Sequence, residues 1–276
     1  LSTQVRESGE RVRAAVLNSG FYLEPKRILV NLSPADIKKD GTSFDLAVAV
    51  AILAAQLSLD NDYLIDTAFV GELSLSGEVK TVNGILPMVS TAKEAGIKRF
   101  VLPVTNYREA KLVDGVEIIG VTSLLEAVEI VQNKVERGKE IETKLPCYSE
   151  KKLPDFSEVH GQKGIKRAVE IAVSGMHNIL MIGQAGSGKS MIASRIPSIM
   201  PPMSVDESLE VTKIYSISGL LEEGRGLIEA RPFRAPHNSI SLPALAGGGS
   251  KVRAGEISLA HNGVLFLDEL PEFNRQ

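Results

Sequence analysis

Residues 178–190 read NILMIGQAGSGKS, a short apolar run that passes directly into Gly183, Gln184, Ala185, Gly186, Ser187, Gly188, Lys189 and Ser190. These eight residues fit G-x-x-x-x-G-K-[ST] at every fixed position, and the pattern has a mechanical meaning. A strand ends in a loop of bare backbone amides and a helix starts at once, so the amides and the positive helix end converge on one spot suited to a polyphosphate. Gly183, Gly186 and Gly188 let the backbone curl where a Cβ would obstruct it. Lys189 is expected to reach the outer phosphates, and the Ser190 hydroxyl is expected to sit on Mg²⁺.

A second chemical group lies far downstream. Residues 262–269 read NGVLFLDE, four consecutive apolar residues ending in two acids. That run predicts a strand buried on both faces, with Asp268 and Glu269 at its C-terminal edge, where open parallel sheets bind ligands. Asp268 is expected to share the Mg²⁺ with Ser190. Glu269 is expected to polarise the water that attacks the terminal phosphate, making Lys189 and Glu269 the catalytic pair.

Elements must hold these residues in place, and 276 residues suffice for two domains with their own cores. The net charge of −3 supplies no global field for nucleic acid, so any such contact needs a local patch. The single cysteine, Cys147, cannot staple the fold, and a reducing, cytoplasmic setting is expected. The longest apolar runs, such as residues 46–57, are too short to span a bilayer, so no membrane partner is expected.

Residues 1–133 alternate helical and strand patterns, which predicts an α/β domain. Val5, Val12, Val16 and Leu17 recur at helical spacing up to Gly20, and residues 27–32 read as a strand. A buried helix is predicted from Ser43 to about Gln56, with Asp45 near its positive end. Residues 69–74 and 77–82 read as strands, 85–95 as a helix, 100–103 as a strand, 106–113 as a helix and 116–121 as a strand. A last helix, 123–131, is capped by Thr122 or Ser123. Asp40-Gly41-Thr42-Ser43, residues 69–86 (FVGELSLSGEVKTVNGIL) and residues 95–103 (AGIKRFVLP) resemble the Lon-type protease domain. That family uses a serine in a D-G-x-S loop and a lysine two residues after a paired glycine. Ser43 falls on the serine position and Gly84 on the second glycine, which leaves Leu86 at the lysine position. Leucine cannot accept a hydroxyl proton, so the resemblance implies a non-catalytic Lon-like module in which Ser43 caps a helix.

Residues 134–154 are rich in Lys and Glu, carry Pro146 and Pro154, and read as an exposed linker. In residues 155–276, Val159, Gly161 and Gln162 precede a predicted helix over 163–174, and a further helix is predicted over 205–217. The two nucleotide motifs, with V-x-G-Q ahead of them, resemble the AAA+ ATPases. RPFRAPH (231–237), LAGGG (245–249) and GEISLAHNG (255–263), behind a Lon-like domain, narrow this to the Mg-chelatase-like AAA+ ATPases of the ComM (YifB) family. The resemblance covers essentially the whole chain. It implies a partial P-loop ATPase domain with a parallel sheet, ATP and Mg²⁺ as cofactors, and a homo-hexameric ring. It also implies an ATP-driven, helicase-like motor for DNA branch migration during natural transformation. The magnesium-chelatase ATPase subunit shares the second half without the Lon-like domain, which gives the alternative of remodelling a protein or metal-insertion partner.

Arg231, Arg234, His237, Lys251 and Arg253 form a local basic segment around Gly247, Gly248 and Gly249. Such a loop is a candidate contact for a single-stranded or branched DNA backbone, with ordinary surface charge or subunit pairing as the alternative. His160, His177, His237 and His261 show no metal-ligand spacing, and the resemblance puts His160 near the adenine. The AAA+ sensor residue and arginine finger would follow Gln276. On that expectation this chain binds ATP but hydrolyses it poorly and forms no stable ring alone.

Overall fold

A strand that is apolar on both faces belongs inside a sheet, and residues 99–103 form the strand on which the first half of the chain is built. The computed structural model describes residues 3–32, 41–132, 154–184, 186–249 and 252–273, with residues 3–6 described by backbone only. Its contacts divide the chain into two compact units, Leu1–Tyr148 with Glu222–Gly226, and Ser149–Leu221 with Leu227–Gln276. The expected linker lies outside the described residues except for Pro154.

In chain order the first unit carries α1 (Thr3–Asn18), α2 (Asp45–Leu57), α3 (Asn61–Ile65), β1 (Thr67–Phe69), β2 (Glu72–Leu73) and β3 (Val79–Lys80). These are followed by α4 (Ile85–Glu94), β4 (Arg99–Pro103), α5 (Tyr107–Ala110), β5 (Glu117–Val121) and α6 (Leu124–Val131). Strand β4 pairs in parallel with β1 on one side and β5 on the other. Side chains alternate along a strand. Val101 therefore joins a cluster with α1, α2 and α6, while Phe100 and Leu102 join a second cluster with α4 and α5. Strands β2 and β3 form a small antiparallel ribbon. The result is a mixed α/β unit on a parallel sheet, with Ser123 accepting from the Glu126 amide as the cap of α6.

Several expectations are corrected here. Residues 27–32 make no ladder, and Ile28, Leu29 and Val30 are exposed; extended propensity becomes a strand only beside a partner, and the described residues supply none. The cap position of α2 is Phe44, with no side-chain cap, so Ser43 does not cap it. The Ser43 carbonyl instead accepts from the Gly71 amide at 2.9 Å. The helix expected over 106–113 is reduced to the single turn of α5. Leu86 is buried at 1% exposure, and its amide donates to Glu109 Oε1 at 2.8 Å.

Asp45 does open the first turn of α2, as expected, and it is also buried. It is 1% exposed and accepts from Ser8 Oγ at 2.6 Å and from Arg11 Nε at 2.6 Å. The hydrogen bond to Asp45 in turn raises the Arg11 pKa above the usual arginine value. Removing one partner of a buried pair leaves an uncompensated charge. Arg11→Ala is therefore expected to cost about 3 kcal/mol, read as a lowered midpoint in urea unfolding; an unchanged midpoint would show the pair to be idle.

The second unit carries α7 (Lys163–Ser174), α8 (Lys189–Ala193), α9 (Val205–Ile217), β6 (Phe233–Arg234), α10 (Leu242–Ala246), α11 (Glu256–Leu259) and β7 (Val264–Leu265). Its core gathers Phe156, Val159, Val169, Ile192 and Ile196. Strands β6 and β7 run parallel, and the Phe233 and Phe266 rings stack at 6.4 Å. Gly263 is needed where the chain enters β7, because a Cβ there would sit 2.1 Å from the Pro232 carbonyl oxygen. The strand expected to be buried on both faces is half-buried, since only one neighbour flanks it among the described residues. Residues 179–182 likewise make no described ladder, and Leu180 and Ile182 are 75% and 90% exposed. No described helix is long and apolar enough to cross a membrane.

Candidate functional site

The glycine-rich loop folds as its composition requires. Gly186 and Gly188 adopt φ values of 77° and 87°, which side-chain-bearing residues resist. Ala185 lies outside the described residues. Lys189 Nζ donates to the carbonyl oxygens of Gly183 and Gln184, both at 3.0 Å, so the loop closes on its own lysine. The helix that starts there as expected is only five residues long. It stops at Ala193, and a 3₁₀ turn, Ile196–Ile199, takes over with Pro197 in it. Five residues make a weak dipole, so the loop amides and Lys189 supply most of the positive potential.

The two distant motifs meet. Ser190 Oγ donates to Asp268 Oδ2 at 2.8 Å, across 78 positions of sequence. Asp268 Oδ1 accepts from the Glu269 amide at 3.0 Å. Glu269 itself is turned elsewhere: its backbone is left-handed at φ 52°, and its Oε2 accepts from Asn238 Nδ2 at 3.2 Å. Sequence reasoning missed Asn238. The only signal was a polar residue soon after β6, in a stretch read for its basic side chains.

That basic segment is largely consumed by the fold. Arg231 is 8% exposed and donates to the carbonyls of Pro201 and Asn262, both at 2.6 Å. Arg234 donates to Glu256 through Nε at 2.5 Å and Nη2 at 2.6 Å, and this bonding raises its pKa. His237 bonds Ser239, and Lys251 lies outside the described residues. Arg253 is exposed beside Gly248 on a short glycine-rich bridge. The four described members, Arg231, Arg234, His237 and Arg253, therefore do not form one open cationic face.

A cavity of about 340 Å³ adjoins the loop. Gln162, Ser187 and Lys189 are among its polar lining residues, and Ile165, Ala168 and Ile192 among its apolar ones. The segment ahead of α7 is fastened to the helix beyond the loop. Arg195 donates to Glu158 Oε2 from Nη2 at 2.6 Å and from Nε at 3.1 Å. That bond holds the Glu158 carboxyl below the usual glutamate range. Its contribution persists above the ordinary glutamate pKa and is lost as pH falls through the lowered value. His160 is exposed, and no group of three or more potential metal ligands occurs among the described His, Cys, Asp and Glu residues.

Comparison with known proteins adds independent findings. Residues 155–276 match a family model described as magnesium chelatase, subunit ChlI, and residues 1–106 match a second described as subunit ChlI of Mg-chelatase. The chain is 41% identical over 277 residues to competence protein ComM of Haemophilus influenzae, covering 99% of this chain and 54% of that protein. It is 41% identical over 276 residues to the uncharacterised protein YifB of Escherichia coli, covering 99% and 53%. The chain thus spans about half the length of these relatives. Lon protease 2 of Bacillus subtilis is 32% identical over 130 residues, 46% of this chain and 23% of that protease.

Proposed function

Because the chain belongs to the magnesium-chelatase-like family of ComM and YifB, we propose that it binds ATP through residues 183–190 and hydrolyses it with Lys189 and Glu269. The observation that carries this reading is the 2.8 Å approach of Ser190 Oγ to Asp268 Oδ2, beside a lysine held at the loop mouth. A hydroxyl and a carboxylate are the hard oxygen donors that suit Mg²⁺, so the residues present fit the metal. Magnesium held there would neutralise charge on the β- and γ-phosphate oxygens. In this reading Lys189 exchanges its two carbonyl partners for phosphate oxygens, and the amides of the loop bind the remainder of the polyphosphate. The apolar walls of the adjoining cavity take the base. Titration calorimetry with ATP, with and without Mg²⁺, tests the reading. Saturable binding that tightens with Mg²⁺ is expected, and no binding at millimolar ATP would overturn it.

Glu269 orients the attacking water once it leaves Asn238. Asn238→Ala removes one neutral donor from that carboxylate, a bond contributing about 0.5–1 kcal/mol. Unstimulated turnover is expected to rise about two- to fivefold with ATP affinity unchanged. A fall in turnover would assign Asn238 a supporting role instead.

Residues 1–133 act in this proposal as a Lon-like module without protease chemistry, 134–154 as a linker, and 155–276 as part of an AAA+ ATPase domain. The buried Leu86 at the lysine position supports the first of these. The assembled motor is a cytoplasmic homo-hexamer that remodels DNA, a reading supported by the identity to a protein named for competence. The internal bonding of Arg231 and Arg234 leaves Arg253 and Lys251 as the basic contacts of that segment. ATP turnover of the natural full-length protein with and without single-stranded or branched DNA is the test. No stimulation and no DNA retention would remove the DNA part, and recovery of a nuclease-insensitive protein complex would favour the chelatase-like alternative.

A further inference from the structure

Helix α7 starts against local rules. Its cap position is Gln162 at φ 49°, directly after Gly161 at φ 68°, and no side chain caps the helix. Left-handed backbone is costly for a residue with a side chain, and Ser, Thr, Asp and Asn are the residues that stabilise a helix start. Glutamine there meets neither requirement. A local rule broken without local gain marks a position held for another purpose.

The Gln162 side chain reaches into the glycine-rich loop. Its Nε2 donates to the Ser187 carbonyl oxygen at 3.4 Å, and the same nitrogen is the neighbour that a Cβ on Gly188 would meet, at 3.7 Å. The carbonyl and the N–H of a trans peptide point in opposite directions. Holding the Ser187 oxygen toward Gln162 therefore aims the Gly188 N–H away from it. Without a holder that peptide could turn, because glycine tolerates both backbone hands. The support for Gln162 is itself braced. Glu158 is bonded to Arg195, Arg195 Nη1 donates to the Met191 carbonyl at 3.0 Å, and the Phe156 amide donates to Ser198 Oγ at 2.9 Å. Phe156 and Val159 are buried against Ile192 and Ile196.

We propose that Gln162 is a positioning residue for the phosphate loop, fixing the Ser187–Gly188 peptide so that the Gly188 amide is presented to the bound anion. The inference rests on the ATP reading and adds to it a residue outside the glycine-rich motif. Gln162→Gly tests it, because glycine removes the amide and relieves the left-handed backbone. Affinities for ATP and for inorganic tripolyphosphate are measured together with the Gly188 amide NMR resonance and the melting temperature of the free protein.

Both ligands are expected to lose about three- to tenfold in affinity, the scale of one hydrogen bond. The Gly188 resonance should shift before ligand is added, with melting unchanged. Gln162→Asn, which tolerates the same backbone but falls short of Ser187, should show the same paired loss should the glycine variant melt early. A loss confined to ATP would make Gln162 a base contact and overturn the proposal, as would unchanged affinity for both ligands. Failure of the unsubstituted chain to bind either ligand would instead remove the ATP reading, and this inference with it.

Discussion

Glu269→Gln is expected to lower ATP turnover by about 100-fold or more while leaving ATP affinity within a factor of about two. Glutamine keeps the shape of the side chain and can still meet Asn238, so the loop, the lysine and the Ser190–Asp268 contact are undisturbed. It lacks the negative charge that draws a proton from the attacking water, and general-base assistance contributes about 10²–10⁴-fold. Turnover belongs in the natural full-length protein, and affinity can be read on this chain as well. Turnover equal to wild type would remove Glu269 from the reaction.

Lys189→Ala is the second large effect, and it falls on binding. A charge-assisted hydrogen bond contributes about 1.5–3 kcal/mol, so affinity for ATP with Mg²⁺ should drop about ten- to hundredfold. The carbonyls of Gly183 and Gln184 also lose their shared donor, which loosens the loop before any ligand arrives. Calorimetry of the two proteins at matched Mg²⁺ gives the ratio. Equal affinities would mean that the loop amides alone hold the phosphates.

What could be read in advance followed periodicity and motif spacing. Residues 100–103 read as a short strand and lie within β4, and the predicted bounds 163–174 coincide with α7. Ser190 and Asp268 were expected to approach because each motif carries a known geometric role. What escaped depends on partners remote in sequence. Arg231 looks the same in sequence whether solvated or buried, and its acceptors are backbone carbonyls that leave no side-chain signature. Asn238 matters only through Glu269, 31 positions away. Residues 27–32 and 179–182 have strand composition, yet a ladder requires a neighbour that composition cannot supply. The shortness of α8 has a local cause, the 3₁₀ turn that carries Pro197.

The Lys189 ammonium is shared between two carbonyl oxygens at equal distance. Two of its three N–H donors are thereby engaged, so a chloride or a lone acetate meets a single free donor or displaces a carbonyl contact for little gain. A linear chain of several charges can take the ammonium, the amides and the Ser190 end together. On the proposed reading the loop would thereby favour long, multiply charged ligands over simple monovalent salts, before any nucleobase is recognised.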